Sequence, residues 1–174
     1  MTRKGMQSFS PKRMADRELM SSTSDQTDLT QLLYRYAAAM DGRDIEGVLA
    51  CFTANAETSW HGGSRIVNGD RALREFFEHA FSDEVLGRDR PSNHFMSNVL
   101  IAALDSGRAE IETTALACLT YRAGLVVVRG LHYSDVCLRD PSRGWLIARR
   151  AHRCDWEFEA PGRFGNVAAP SVDV

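Results

Sequence analysis

The chain has 174 residues, 44% of them apolar and 25% charged, the make-up of one globular domain with a core of its own. With 21 basic and 23 acidic side chains the formal net charge is −2, which excludes the strongly basic balance of a nucleic-acid or anionic-membrane binder. No apolar run approaches the roughly 18 residues that a membrane span needs.

Residues 1–26 are polar and charged without a clean period, and they hold no apolar stretch of the kind a secretory signal carries. They are expected to form a flexible arm, or a segment that packs on a partner subunit. One domain is expected over 27–158. It opens with "TDLTQLLYRYAAAM", in which Leu29, Leu32, Leu33, Tyr36, Ala37 and Met40 recur at helical spacing behind Thr27 or Asp28 as N-cap. "MDGRD" breaks that helix, and Asp44 is placed to cap a short second one, "IEGVLACF". A strand "AETSW" and a turn at "HGG" precede a third helix, "GDRALREFFEHAF".

From Asn93 the pattern changes to strands. "HFMSNVLIAALD", "AEIETTALACLTYR", "LVVVRGLHYSDVCLRD" and "WLIARRAHRCDWEF" follow one another across short turns at "DSGR", "AG" and "PSRG". Three helices and then an antiparallel meander is an α+β order. Such a sheet, curved around the helices, makes a cone-shaped α+β barrel with an open mouth, where small molecules bind. Residues 159–174, rich in Pro, Gly and small side chains, are expected to be an irregular tail.

Cys51, Cys118, Cys137 and Cys154 are far apart, with neither C-x-x-C nor zinc spacing, and are expected to be core thiols of a reduced, cytoplasmic protein. Phosphate-binding glycine loops and a nucleophile elbow are absent.

In the strand "SNHFMSNVLIAALD", strict alternation puts His94, Met96, Asn98, Leu100 and Ala102 on one face. If that face is inward, His94 and Asn98 are buried polar groups needing partners, or they line a cavity that uses them.

"LLYRYAAAMDGRDIEGVLACFTANAE", then "NHFMSN", then "RGLHYSDVCLRDPSRGWLIARRAHRCDW" resemble the SnoaL-like branch of the nuclear transport factor 2-like superfamily. That branch includes scytalone dehydratase and the lindane dehydrochlorinase. The resemblance spans about residues 27 to 158 and implies the cone-shaped fold. In those enzymes an aspartate ending the first helix pairs with a histidine on the first long strand. Asp41 in "AAAMDGRD" and His94 in "SNHFMSN" stand at the matching positions. A carboxylate held to one ring nitrogen fixes the imidazole tautomer and frees the other nitrogen to take a proton. The structural alternatives are an aspartate that closes the helix and a satisfied core histidine.

His132 shares its strand face with Val126, Val128, Gly130, Ser134, Val136 and Leu138, which is expected to be the concave one. There it would act as an acid for the leaving group or bind a substrate oxygen; otherwise it bonds a neighbouring strand. Tyr36 lies on the buried helix stripe and is the best pocket tyrosine. Trp60 is a candidate to wall the mouth, with simple packing as the alternative, and Met40 stands where scytalone dehydratase has a tyrosine. Asn98 is a further candidate for substrate binding. His152 is expected in the core, with pocket lining as the alternative, and His61 and His79 at the surface. Asp41, His94 and His132 have the composition of a metal triad but no close-spaced ligand pair, so no metal and no cofactor are expected.

The expected function is a cofactor-independent lyase. His94 is the base, Asp41 its orienting partner, and the reaction an elimination of the dehydratase type on a small hydrophobic hydroxylated or cyclic substrate. Isomerisation or cyclisation by the same base is the alternative within enzymes, and a binding domain without turnover the alternative outside them. The expected partners are a small molecule in the cone and further copies of the chain, as a dimer or trimer through the sheet. Neither nucleic acid nor a membrane is among them.

Overall fold

The computed structural model describes residues 11–82, 91–120 and 125–162, with side chains from residue 23 onward. A long helix, α1 (Pro11–Asp41), is followed by the short α2 (Ile45–Leu49), the strand β1 (Phe52–Trp60) and β2 (Arg65–Asn68). Then come α3 (Asp70–Ala80) and four long strands, β3 (Ser92–Leu104), β4 (Arg108–Thr120), β5 (Leu125–Asp140) and β6 (Gly144–Pro161). One curved sheet runs in the order β2-β1-β6-β5-β4-β3, antiparallel throughout except for the parallel pair β1–β6. The α+β architecture agrees with the expected one, and β2 is the strand that sequence reading missed.

The first helix begins at Pro11, so Thr27 and Asp28, the expected N-caps, lie inside it and neither caps it. The hydroxyls of Thr27 and Thr30 instead donate to the carbonyls of Thr23 and Gln26 one turn back, at 3.1 and 2.9 Å. Asp25, within the segment expected as an arm, is 5% exposed and accepts from Trp145 Nε1 at 3.1 Å and Arg139 Nη1 at 2.5 Å. The described part of the domain therefore reaches further toward the N-terminus than residue 27. Leu29, Leu32, Leu33 and Tyr36 are fully buried and form the stripe read from the sequence.

Asp44 caps α2 as expected, its Oδ1 accepting from the Gly47 amide at 2.9 Å. Asp44→Ala should lower stability by about 1 kcal/mol in urea denaturation; no change would mean that packing alone holds α2.

Sheet curvature comes with irregularities that strict alternation cannot foresee. On β3 the register slips between Ser97 and Leu100, where Asn98 has φ +47°. His94 and Met96 stay on the inner side, but Asn98 is exposed and Leu100 is 61% exposed, while Val99 and Ile101 pack against the core. An extra residue in one strand flips every later side chain to the other face. β6 slips twice against β5, between Gly130/Leu131 and between Val136/Cys137. The first slip separates His152 and Cys154 from Trp156 and Phe158, whose stacked rings stand exposed on the outer face.

The core contains an ion pair. Arg150, with no exposed surface, donates through Nε and Nη2 to the two oxygens of Asp135 at 2.8 and 2.7 Å. Its guanidinium lies against the rings of both Tyr36 and Tyr133, at 4.1 and 4.5 Å from their centres. Burial works against the charge, but Asp135 outweighs it and holds Arg150 ionised.

Candidate active site

The concave side of the sheet and α3 enclose a cavity of about 320 Å³, large enough for a small organic molecule. Phe76 and Phe77 of α3, with Leu131 and Leu119 of the sheet, make its apolar wall. Tyr36, Met40 and Trp60, three of the residues expected at the pocket, line it, as do His94 and His152.

Asp41 ends α1, and α1 packs along β3, the edge strand that carries His94. An edge strand has amides with no neighbouring strand to bond. Asp41 supplies that partner, its Oδ2 accepting from the His94 backbone N–H at 3.0 Å. The other carboxylate oxygen, Oδ1, lies 2.7 Å from His94 Nδ1. The imidazole is 5% exposed and its carboxylate partner 26% exposed. Beside an ionised carboxylate Nδ1 carries the hydrogen, so in the neutral ring Nε2 keeps its lone pair.

His132 is elsewhere. On β5 the inner face is Leu131, Tyr133, Asp135 and Cys137, all buried, and His132 projects to the outer face. There its Nε2 lies 2.8 Å from Glu112 Oε2, which also accepts from Ser134 Oγ at 2.7 Å. The expectation that His132 shares the cavity is corrected, and with it the set His94, His132 and Asp41 that a metal would need. The cause is physical: the inner face carries Tyr133 and Asp135, partners of the buried Arg150, so it looks the more polar of the two. Asn98 is likewise outside the lining, turned out by the β3 bulge. Trp60 does wall the cavity, stacked on Phe76 at 4.9 Å, but its indole N–H is taken by Thr58 Oγ1 at 2.9 Å and is not a free donor.

His152 is the histidine that sequence reading undervalued. It stands opposite Tyr133 across β5 and β6, is 8% exposed, and lies between the rings of Trp60 and Tyr133, 5.2 and 5.3 Å away. Burial, helped by the positive charge of Arg150, pushes its pKa down to about 4. The folded state therefore binds fewer protons than the unfolded state between pH 6.5 and 4. Its contribution to stability is full above about pH 6.5 and is lost as pH falls toward 4, by about 3 kcal/mol. Urea denaturation at pH 7 and pH 4 should show this slope in the wild type and a shallower one in His152→Phe; equal slopes would refute it.

The mouth is basic. Arg65 lies over the Phe76 ring at 4.7 Å, and Arg129 pairs with Glu157 at 2.9 Å. His61 and His79, exposed as expected, also border the opening.

The sequence pattern of the SnoaL-like domain matches residues 21–151. The chain belongs to the SnoaL-like family. No curated protein matches it by sequence. Among solved structures, a provisionally assigned scytalone dehydratase from Novosphingobium aromaticivorans is 18% identical with a TM-score of 0.72, over 85% of this chain and 95% of that one. The hexachlorocyclohexane dehydrochlorinase LinA-type3 from Novosphingobium barchaimii is 14% identical, TM-score 0.67, over 86% and 97%. A cystatin-like, NTF2-like protein from Novosphingobium aromaticivorans is 18% identical, TM-score 0.68, over 86% and 92%. At these identities the likeness establishes the fold, which this SnoaL-like chain shares in nearly its full described extent.

Proposed function

We propose that this SnoaL-like protein is a cofactor-independent lyase in which His94 removes a proton and Asp41 holds its ring. The observation that carries the reading is the two-point grip of Asp41 on His94, backbone N–H and Nδ1 together, at the wall of an apolar cavity. A carboxylate that only closed a helix would have no need of the ring nitrogen. Nε2 is left as a base for a proton beside a carbonyl, and loss of hydroxide from the next carbon completes a dehydration. The mostly apolar lining fits a small hydrophobic, hydroxylated or cyclic substrate.

The similarity to proteins described as a scytalone dehydratase and a dehydrochlorinase supports elimination over isomerisation or cyclisation. The test is proton exchange: in D₂O the protein should exchange the α-protons of 1-indanone and dehydrate β-hydroxyketones of similar size. Absence of both reactions would leave a binding domain. Self-association belongs to the same proposal, as a dimer or trimer through the outer sheet face that exposes Phe95, Trp156 and Phe158. Sedimentation equilibrium decides this, a monomer at every accessible concentration ruling it out.

A further inference from the structure

His94 is one of two buried histidines on this cavity, and the two are held in opposite tautomers. At His94 the partner of Nδ1 is a carboxylate, an acceptor, so Nδ1 carries the hydrogen. At His152 the partner of Nδ1 is a donor, the backbone N–H of His61 at 3.4 Å. A nitrogen that accepts cannot carry the hydrogen in a neutral ring, so at His152 the hydrogen sits on Nε2. The turn that brings this N–H to the ring is costly for the chain: His61, Gly62 and Gly63 take φ +52°, +68° and +92° in succession. His61 takes the first of these places, and glycine, which adopts positive φ without strain, fills the next two.

The hydroxyl groups near His152 are also neutral donors. Tyr133 is its cross-strand neighbour, and burial raises the hydroxyl of Tyr133 well above the ordinary tyrosine value. Tyr36, edge-on to Tyr133 at 6.2 Å, is pushed up to about 12 by burial, although Arg150 pulls the other way. Arg150 lies against its ring face, and the Tyr36 hydroxyl, fully buried, has no hydrogen-bond partner. A buried hydroxyl without a partner is a cost that a bound oxygen would remove.

We propose that His152 Nε2–H, with the hydroxyl of its cross-strand neighbour Tyr133 as a second donor, binds an uncharged substrate oxygen, so that the cavity pairs an acceptor histidine with a donor histidine. The inference deepens the lyase reading and rests on it for the reaction, though the oxygen site itself does not depend on turnover. It gives His152 the task that the sequence had suggested for His132, and it selects carbonyl compounds over hydrocarbons of the same shape. In the reaction His94 Nε2 takes the α-proton and the C–H electron pair moves into the carbonyl. The oxygen that gains charge then accepts from His152 and Tyr133; as the carbonyl reforms the β-carbon–oxygen bond breaks, and the departing hydroxide takes the proton from His94 and leaves as water, which restores the base.

The test compares binding of 1-indanone and indane, which differ by one oxygen, to the full chain by calorimetry. The wild type should prefer 1-indanone by about tenfold, the size of one good hydrogen bond. In His152→Phe the preference should fall to roughly twofold or less with indane affinity nearly unchanged. Nitrogen-15 NMR of the wild type supplies a readout that needs no variant: His152 should show a protonated Nε2 whose resonance moves with 1-indanone and stays still with indane. A preference retained in His152→Phe, or a protonated Nδ1 at His152, overturns the oxygen site. Asp41→Ala should lose proton exchange and keep the preference. Exchange absent in the wild type with the preference present would sink the lyase reading and leave the oxygen site standing.

Discussion

Replacing His94 by glutamine should lower α-proton exchange on 1-indanone by about 10²- to 10⁴-fold, the range that a positioned base contributes. Glutamine keeps much of the volume and its amide hydrogens can still meet the Asp41 carboxylate, 2.7 Å from Nδ1 in the native pair. What it lacks is a basic lone pair where Nε2 stands. Thermal stability should therefore move far less than the rate, and 1-indanone binding should survive, because the proposed oxygen site is on the opposite strands. A rate within threefold or so of the wild type would mean that another group takes the proton.

The second large effect is on stability. Asp135→Asn should cost about 3–5 kcal/mol, because it leaves the Arg150 charge buried without a counter-charge. Arg150 has no exposed surface and its Nη1 is already without a partner, so it has no route to water that would soften the loss. The double change Asp135→Leu with Arg150→Met should recover most of that stability, since the two charges are removed together and apolar volume is kept. Urea denaturation of the three variants checks both statements. A cost below about 1 kcal/mol for Asp135→Asn would show that the pair is solvated on folding, contrary to its burial.

That ion pair also explains which parts of the molecule were legible in the sequence. The helices and the four long strands rest on local signals: a helical stripe, a broken helix end and a strand period. The Asp41–His94 pairing, between residues far apart in the chain, was implied by the resemblance to the SnoaL-like branch. The face of β5 was misassigned because hydropathy presumes that charge points outward, and Asp135 points inward to Arg150 on the neighbouring strand. Nothing in β5 alone announces a partner fifteen residues later in the chain. Asn98 was misplaced for a different reason. A bulge is set by how two strands twist together, and "FMSNV" offers only an asparagine, a residue tolerant of positive φ, as its trace. His152 was weighed correctly as buried, yet its proximity to the cavity follows from its register opposite Tyr133, which depends on the slip at Val136/Cys137, where Ala148 is the extra residue of β6.

The measurement that bears most directly on the central claim is the tautomer of His94, read by nitrogen-15 NMR at pH 7.5 on the wild type and Asp41→Ala. In the wild type Nδ1 should carry the hydrogen, slow to exchange with solvent, and Nε2 should be bare. In Asp41→Ala that hydrogen should exchange fast, and the ring should shift toward the Nε2–H form. A His94 ring protonated on Nε2 in the wild type, or one indifferent to the loss of Asp41, would contradict the dyad and remove the base from the proposed reaction.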